Sequence, residues 1–253
     1  GSSTLQACHG IATQGEQMLG TMQDRPLALT HFFDRAERYF PRKEVVSATA
    51  TSVERTTYAA WADRTRRLGG VLDDLGISAD GRVGTFAWNT ARHLELYFAA
   101  PCSGRVLHTL NIRLFPEQVT YVVNHAEDEV IFVDRSLLAL LAPLLPTFET
   151  VRHVVVMDDG APTPDPDGVE VLDYEELLAA ASPAEFRVDD EYRAASMCYT
   201  SGTTGNPKGV VYTHRSTYLH TIAVMQADSV GIREEDAVLP VVPMFHANAW
   251  GLA

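Results

Sequence analysis

Between Leu27 and Phe40 apolar residues recur at helical spacing (Phe32, Phe33, Ala36, Tyr39, Phe40), with Thr30 placed as a cap and Pro41 as a stop. This pattern predicts a helix. A second helix is expected from Thr57, carrying Tyr58, Trp61, Leu68, Val71, Leu72 and Leu75 on one broad face and ended by Gly76. Asp80-Gly81 marks a turn. Val83 to Trp88 then reads as a mostly apolar strand, Asn89 as the cap of a helix running to about Ser103, and Arg105 to Leu107 as another short strand.

The alternation continues downstream. Pro116 stands near the start of a helix containing Val119, Val122 and Val123, and Val130 to Val133 is a strand with Asp134 at its exit. Leu137 to Leu145 is expected to be helical, Val151 to Met157 a strand, Tyr174 to Ala181 a short helix and Ala194 to Tyr199 a strand. Nearly continuous apolar strands separated by helices predict an α/β fold whose sheet is at least partly parallel and covered on both faces. The stretch from Asp158 to Gly168 is rich in Pro, Asp and Gly, which suits an exposed loop. It is a candidate divider, giving residues 1–26 as tag remnant and extension, 27–157 as an α/β subdomain, 158–168 as the loop and 169–253 as the next part.

Composition narrows the classes. With 253 residues, 46% of them hydrophobic, the chain can bury a sizeable core. A net charge of -13 sets an unfavourable potential for nucleic acid and anionic lipid, so no nucleic-acid partner is expected. No apolar run reaches the roughly 18 to 20 residues of a membrane span, so no stable membrane insertion is expected. Cys8, Cys102 and Cys198 are too widely spaced for a disulfide framework or a C-x-x-C metal site and read as packed thiols. The expected location is therefore the cytoplasm. Phe32, Trp61 and Trp88 read as core, and Asp158-Asp159 and Asp189 to Glu191 as solvated faces. His214 and His220, six apart, do not share a helical face and suggest no metal pair.

The candidate chemistry lies in Tyr199 to Arg215, YTSGTTGNPKGVVYTHR. Between the strand ending near Tyr199 and the β-rich Val210-Val211-Tyr212 stand three glycines, a serine, three threonines and one lysine. Gly202, Gly205 and Gly209 let backbone amides approach a ligand closely. The hydroxyls of Thr200, Ser201, Thr203 and Thr204 can donate to phosphate or ligate magnesium, and Lys208 adds a mobile point charge. An ordinary tight loop with solvated hydroxyls has the same composition. The spacing matches neither a Walker A loop nor a G-x-G-x-x-G dinucleotide fingerprint, and Ser201 is not a G-x-S-x-G nucleophile, because Tyr199 stands where its first glycine belongs.

Taken whole, this string resembles the signature loop of adenylate-forming enzymes, the superfamily of acyl-CoA synthetases, luciferases and peptide synthetase adenylation domains. LPVVPMFHANAWG (Leu239 to Gly251) is similar to a second family motif, and TFAWNTARHLELYFAAPCSGRVLHTLNIRL (Thr85 to Leu114) looks like fatty acyl-CoA synthetases in particular. The resemblance runs from about Leu27 to the end. It implies part of the large N-terminal domain of such an enzyme, with mixed or parallel sheets covered by helices.

It further implies a medium- or long-chain fatty acid-CoA ligase that uses ATP, Mg2+ and coenzyme A and passes through an acyl-adenylate. Thr200, Ser201, Gly202, Thr203, Thr204, Gly205 and Lys208 would grip phosphate, with Thr200 also at the magnesium. His246 would face the adenylate or the carboxylate, although a lone histidine beside an apolar run is by itself most simply a core residue. His246 and Lys208 are thus the candidate catalytic residues. Trp250 would border the acyl and nucleotide pocket. Relatives continue with adenine and ribose contacts and a C-terminal lid domain carrying a lysine. The chain therefore reads as an N-terminal piece, inactive alone, with a homodimer contact in its N-terminal helices. The alternatives are an adenylating enzyme for an aryl or amino acid, which the NTARHLELYF and NIRL segments argue against, and a non-catalytic structural or dimerisation module.

Overall fold

The computed structural model describes residues 22–162, 170–200 and 206–248. The chain opens with α1 (Thr30–Tyr39), a hairpin of β1 (Glu44–Ala48) and β2 (Val53–Thr57), and α2 (Tyr58–Asp74). Thr57 caps α2 by accepting from the Ala60 amide at 3.2 Å, and Gly76 leaves it with φ +66°, a conformation that costs glycine nothing. Next come β3 (Arg82–Phe86), α3 (Ala91–Cys102), β4 (Val106–Thr109), α4 (Pro116–Ala126) and β5 (Asp128–Asp134). A single-turn α5 (Leu138–Leu141), β6 (His153–Met157), β7 (Leu172–Asp173), α6 (Tyr174–Ala180), β8 (Ala194–Thr200), β9 (Lys208–Thr213) and α7 (His214–Met225) complete it.

The strands after β2 form one seven-stranded sheet in the order β7-β6-β5-β3-β4-β8-β9, parallel throughout except that β9 runs antiparallel to β8. The fold class expected from the apolar runs is the one observed. Strands from both sides of the Pro/Asp-rich stretch belong to this sheet. Side chains alternate across it as the pleat requires. Val130 and Phe132 of β5, with Val155 and Met157 of β6, pack under α2, α3 and α6. Their neighbours Ile131, Val133, Val154 and Val156 pack under α4 and α5 on the opposite face. A central strand buried on both sides has no polar face to show, which is why β5 reads as a continuous apolar run.

One polar tie runs through the first face. Glu95 of α3 is 1% exposed. It accepts from Arg64 Nε of α2 at 2.7 Å and from the Tyr174 hydroxyl of α6 at 2.5 Å, while Arg64 also reaches Glu175 at 2.7 Å. Burial raises the Glu95 pKa and Arg64 opposes the shift, so the guanidinium is what keeps a carboxylate tolerable at this depth.

Several local expectations are corrected. Thr30 is the first residue of α1, with Leu29 before it, and α3 is capped by Thr90, which accepts from the His93 amide at 3.2 Å, so Asn89 is released for another task. Residues Leu137 to Leu145 do not make one helix. Prolines at 143 and 146 each remove an amide donor, and the segment breaks into 3-10 turns around α5. Trp61 is core, but Trp88 is 42% exposed and hydrogen-bonds Ser136 through its indole nitrogen at 3.0 Å. Asp159 is buried, accepting from the Ser136 and Ala161 amides, and Glu191 accepts from the Leu27 amide and pairs with Arg215. These two carboxylates end turns rather than facing water. His214 is a packed residue whose Nδ1 accepts from the Leu29 amide at 3.3 Å, and Cys102 and Cys198 are buried free thiols.

Candidate functional site

The sheet changes direction between β8 and β9, and the sequence loop of interest sits there. In register, Thr200 lies opposite Lys208 and Tyr199 opposite Gly209. Thr200 and Lys208 are both exposed, so a hydroxyl and an ammonium project side by side from adjacent strand ends. Ser201, Gly202, Thr203, Thr204 and Gly205, which join them, lie outside the described residues, as does Trp250.

The base of this hairpin is tightly specified. A Cβ on Gly209 would crowd the Tyr199 ring at 3.2 Å, so the glycine lets the ring lie across the pair without shifting. The Tyr199 hydroxyl shares a 2.6 Å hydrogen bond with His125 Nδ1, and its ring packs on His108 at 5.2 Å. Burial pushes the Tyr199 phenol up to about 12, so it stays neutral at physiological pH. Behind it His108 Nδ1 lies 2.8 Å from both Asp128 oxygens, with both side chains buried. His108 is on β4 and Asp128 on β5, with β3 between them. They meet across Gly84, where a Cβ would stand 3.2 Å from Asp128 Oδ2.

A second segment, residues 240–248, closes on the carboxyl ends of the parallel strands. Asn89, in the turn between β3 and α3, donates to the Pro240 and Val242 carbonyls at 2.8 and 3.0 Å and accepts from the Met244 amide at 2.7 Å. The Tyr97 hydroxyl donates to the Met244 carbonyl. At the other end Thr109, the last residue of β4, donates to Asn248 Oδ1 at 2.8 Å, and Asn248 Nδ2 donates to the Ser196 hydroxyl of β8 at 2.9 Å. Ala247 and Asn248 both have positive φ (46° and 48°), a pair of left-handed residues that only such anchoring sustains. Met244 and Phe245 are buried, whereas His246 is exposed and its amide bonds back to the Pro243 carbonyl at 2.9 Å. The segment thus drives two apolar side chains inward and presents the histidine outward.

The hydroxyl and ammonium stand at the carboxyl edge of a parallel sheet, where open α/β folds bind ligands, and the segment that presents the imidazole is anchored to β4 and β8 of the same sheet. Cys198 lies beneath, but burial raises its thiol pKa, so it offers no thiolate nucleophile. Among the described residues no group of three His, Cys, Asp or Glu could hold a metal ion. Thr200 and Lys208 offer a hydroxyl and an ammonium, donors of the kind phosphate oxygens accept from. No described helix is long and apolar enough to cross a membrane. Asn89 was read from the sequence only as a helix cap, and Tyr97 and Thr109 were not singled out. A signal existed for the first: Asn89 and Thr90 are both able caps, and a helix needs one.

The AMP-binding enzyme family matches residues 32–253. The 3-methylmercaptopropionyl-CoA ligase of Ruegeria pomeroyi is 47% identical over 92% of this chain and 44% of its own length. The long-chain-fatty-acid--CoA ligase of Thermus thermophilus is 48% identical over 94% and 43%. An anthranilate CoA ligase crystallised with anthranoyl-AMP superposes with a TM-score of 0.76 at 21% identity, over 90% of this chain and 44% of that one, a likeness of fold. The chain spans less than half the length of these relatives. With the match covering nearly all of its sequence, and with the α/β architecture those enzymes share, the chain belongs to the AMP-binding enzyme family.

Proposed function

We propose that the whole protein is an acid-thiol ligase that activates a fatty acid with ATP as the acyl-adenylate and transfers the acyl group to coenzyme A. The observation that carries this is the paired Thr200 and Lys208 at the carboxyl edge of the sheet, beside an anchored segment that presents His246. Thr200, Ser201, Gly202, Thr203, Thr204, Gly205 and Lys208 bind the phosphates. His246 orients the acid at the α-phosphorus, and Trp250 borders the acyl pocket. Attack by the carboxylate oxygen needs positioning and neutralised charge rather than a protein nucleophile, in keeping with a site of donors. Magnesium, when bound with the nucleotide beside Thr200, supplies further neutralisation.

The fatty acyl substrate is supported by the Thermus relative, and a short thioether acid by the Ruegeria one, so the acid is the part to measure. A homodimer through the N-terminal helices and a cytoplasmic location belong to the same proposal, the first checked by light scattering. The deciding experiment follows pyrophosphate release by the full-length protein across a ladder of fatty acids and 3-methylmercaptopropionate, beside Thr200→Ala. Acid-dependent release that falls by about 100-fold in the variant is expected. Release that no carboxylic acid stimulates would refute the ligase.

A further inference from the structure

We propose that Asn89 is a positioning residue for the acid, acting through the backbone of residues 240–244. The inference rests on the ligase reading for its kinetic consequence and on geometry alone for its structural part.

Pro240 and Pro243 have no amide hydrogen, so this stretch cannot hold itself in a ladder. Packing does not hold its first half either, because Leu239 and Val241 are each 83% exposed. What defines its path is one carboxamide. Both Asn89 Nδ2 hydrogens go to carbonyls, of Pro240 and Val242, and Oδ1 takes the Met244 amide. All three partners are backbone groups, so the contact dictates where the chain runs whatever side chains it carries. Tyr97, two turns along α3, takes the remaining Met244 group, its carbonyl. Met244 is therefore pinned at both backbone atoms immediately before Phe245 enters the core and His246 emerges. Asn89 is not needed to start α3, since Thr90 performs that task. Losing the amide should move the wall that bears His246 without unfolding the helix. A displacement of even an ångström at a group that orients a reactant is costly in rate.

Asn89→Asp is the sharpest variant. It keeps the acceptor for the Met244 amide but turns a carboxylate oxygen toward two carbonyl oxygens, which repel it. In the full-length protein the apparent KM for the acid should rise about tenfold while that for ATP stays within about twofold. The Met244 amide should exchange its hydrogen faster than in the parent protein. Thr90→Ala serves as the structural control, lowering the melting temperature with both KM values unchanged. Unchanged KM for the acid, or equal changes in both KM values, would overturn the proposal. If the parent protein itself shows no acid-dependent pyrophosphate release, the ligase reading has failed instead. Hydrogen exchange at Met244 then still decides whether Asn89 holds the segment, and exchange that is no faster in the variant overturns that too.

Discussion

The centre of the sheet and its β9 end are built from similar residues and treated differently. Val130, Ile131, Phe132 and Val133 of β5 are inaccessible to solvent, sealed by helices above and below. Val210 and Val211 of β9 are 38% and 55% exposed, and the helix that follows leaves Leu219, Ile222 and Met225 open as well. Polar and apolar residues are intermixed around α7, which has no distinct apolar face and buries only His214. The contrast separates what these residues contribute to folding, which the centre already realises, from what an uncovered surface makes available to further chain or a partner.

Substitutions can sharpen the contrast. Phe132→Ala should cost about 4 kcal/mol in a denaturant titration, because the ring touches both α-helical cover and the Tyr174 ring and leaves a cavity that the sheet cannot close. Next in size, Arg64→Ala should cost about 3 kcal/mol by stranding the buried Glu95 carboxylate, and Glu95→Gln in the same background should recover part of it. If the second change recovers nothing, Arg64 acts through packing alone.

A smaller effect depends on pH. His93 is buried, accepts from Thr85 and donates to the Trp88 carbonyl, and burial lowers its pKa from 6.5 to about 4. Because the folded pKa is the depressed one, its stabilising contribution is full above pH 6.5 and is lost as pH falls toward 4. The loss should be about 2 kcal/mol at pH 5, read as the difference between the parent protein and His93→Gln in how unfolding free energy changes between pH 7 and 5. Asp134, whose pKa burial raises to about 7, titrates the other way over the same range, losing stability as pH rises toward 7 by a comparable amount, so the parent protein shows little net change. At the bottom of the scale, Val211→Thr should change stability by less than about 0.5 kcal/mol. A large loss there would mean that β9 is covered after all.

The same contrast governs how much could be read in advance. β5, β6 and α2 were legible because burial on one or two faces imposes a period on the sequence. The β1–β2 hairpin escaped notice, since three of its ten residues in EVVSA and VERTT are charged and few are buried, and α7 escaped because no face of it is distinguished. Trp88, Asp159 and Glu191 were misplaced for a different reason: each is fixed by a partner distant in sequence, and composition carries no information about such partners. The candidate site divides likewise. Thr200 and Lys208 stood out because a hydroxyl- and glycine-rich run is chemically unusual. Asn89 was taken for a cap, because the carbonyls it serves lie 151 and 153 residues away.

Gly84 carries an implication for how this sequence can vary. His108 and Asp128 belong to strands that are not neighbours, and a side chain on the strand between them at Gly84 would crowd the Asp128 carboxylate, its Cβ 3.2 Å from Oδ2. Glycine, histidine and aspartate at these three positions are therefore expected to vary together. Among relatives, a side chain at the position of Gly84 should be accompanied by loss of the pair, and aligned sequences that keep the histidine and aspartate around a bulkier residue would contradict that dependence.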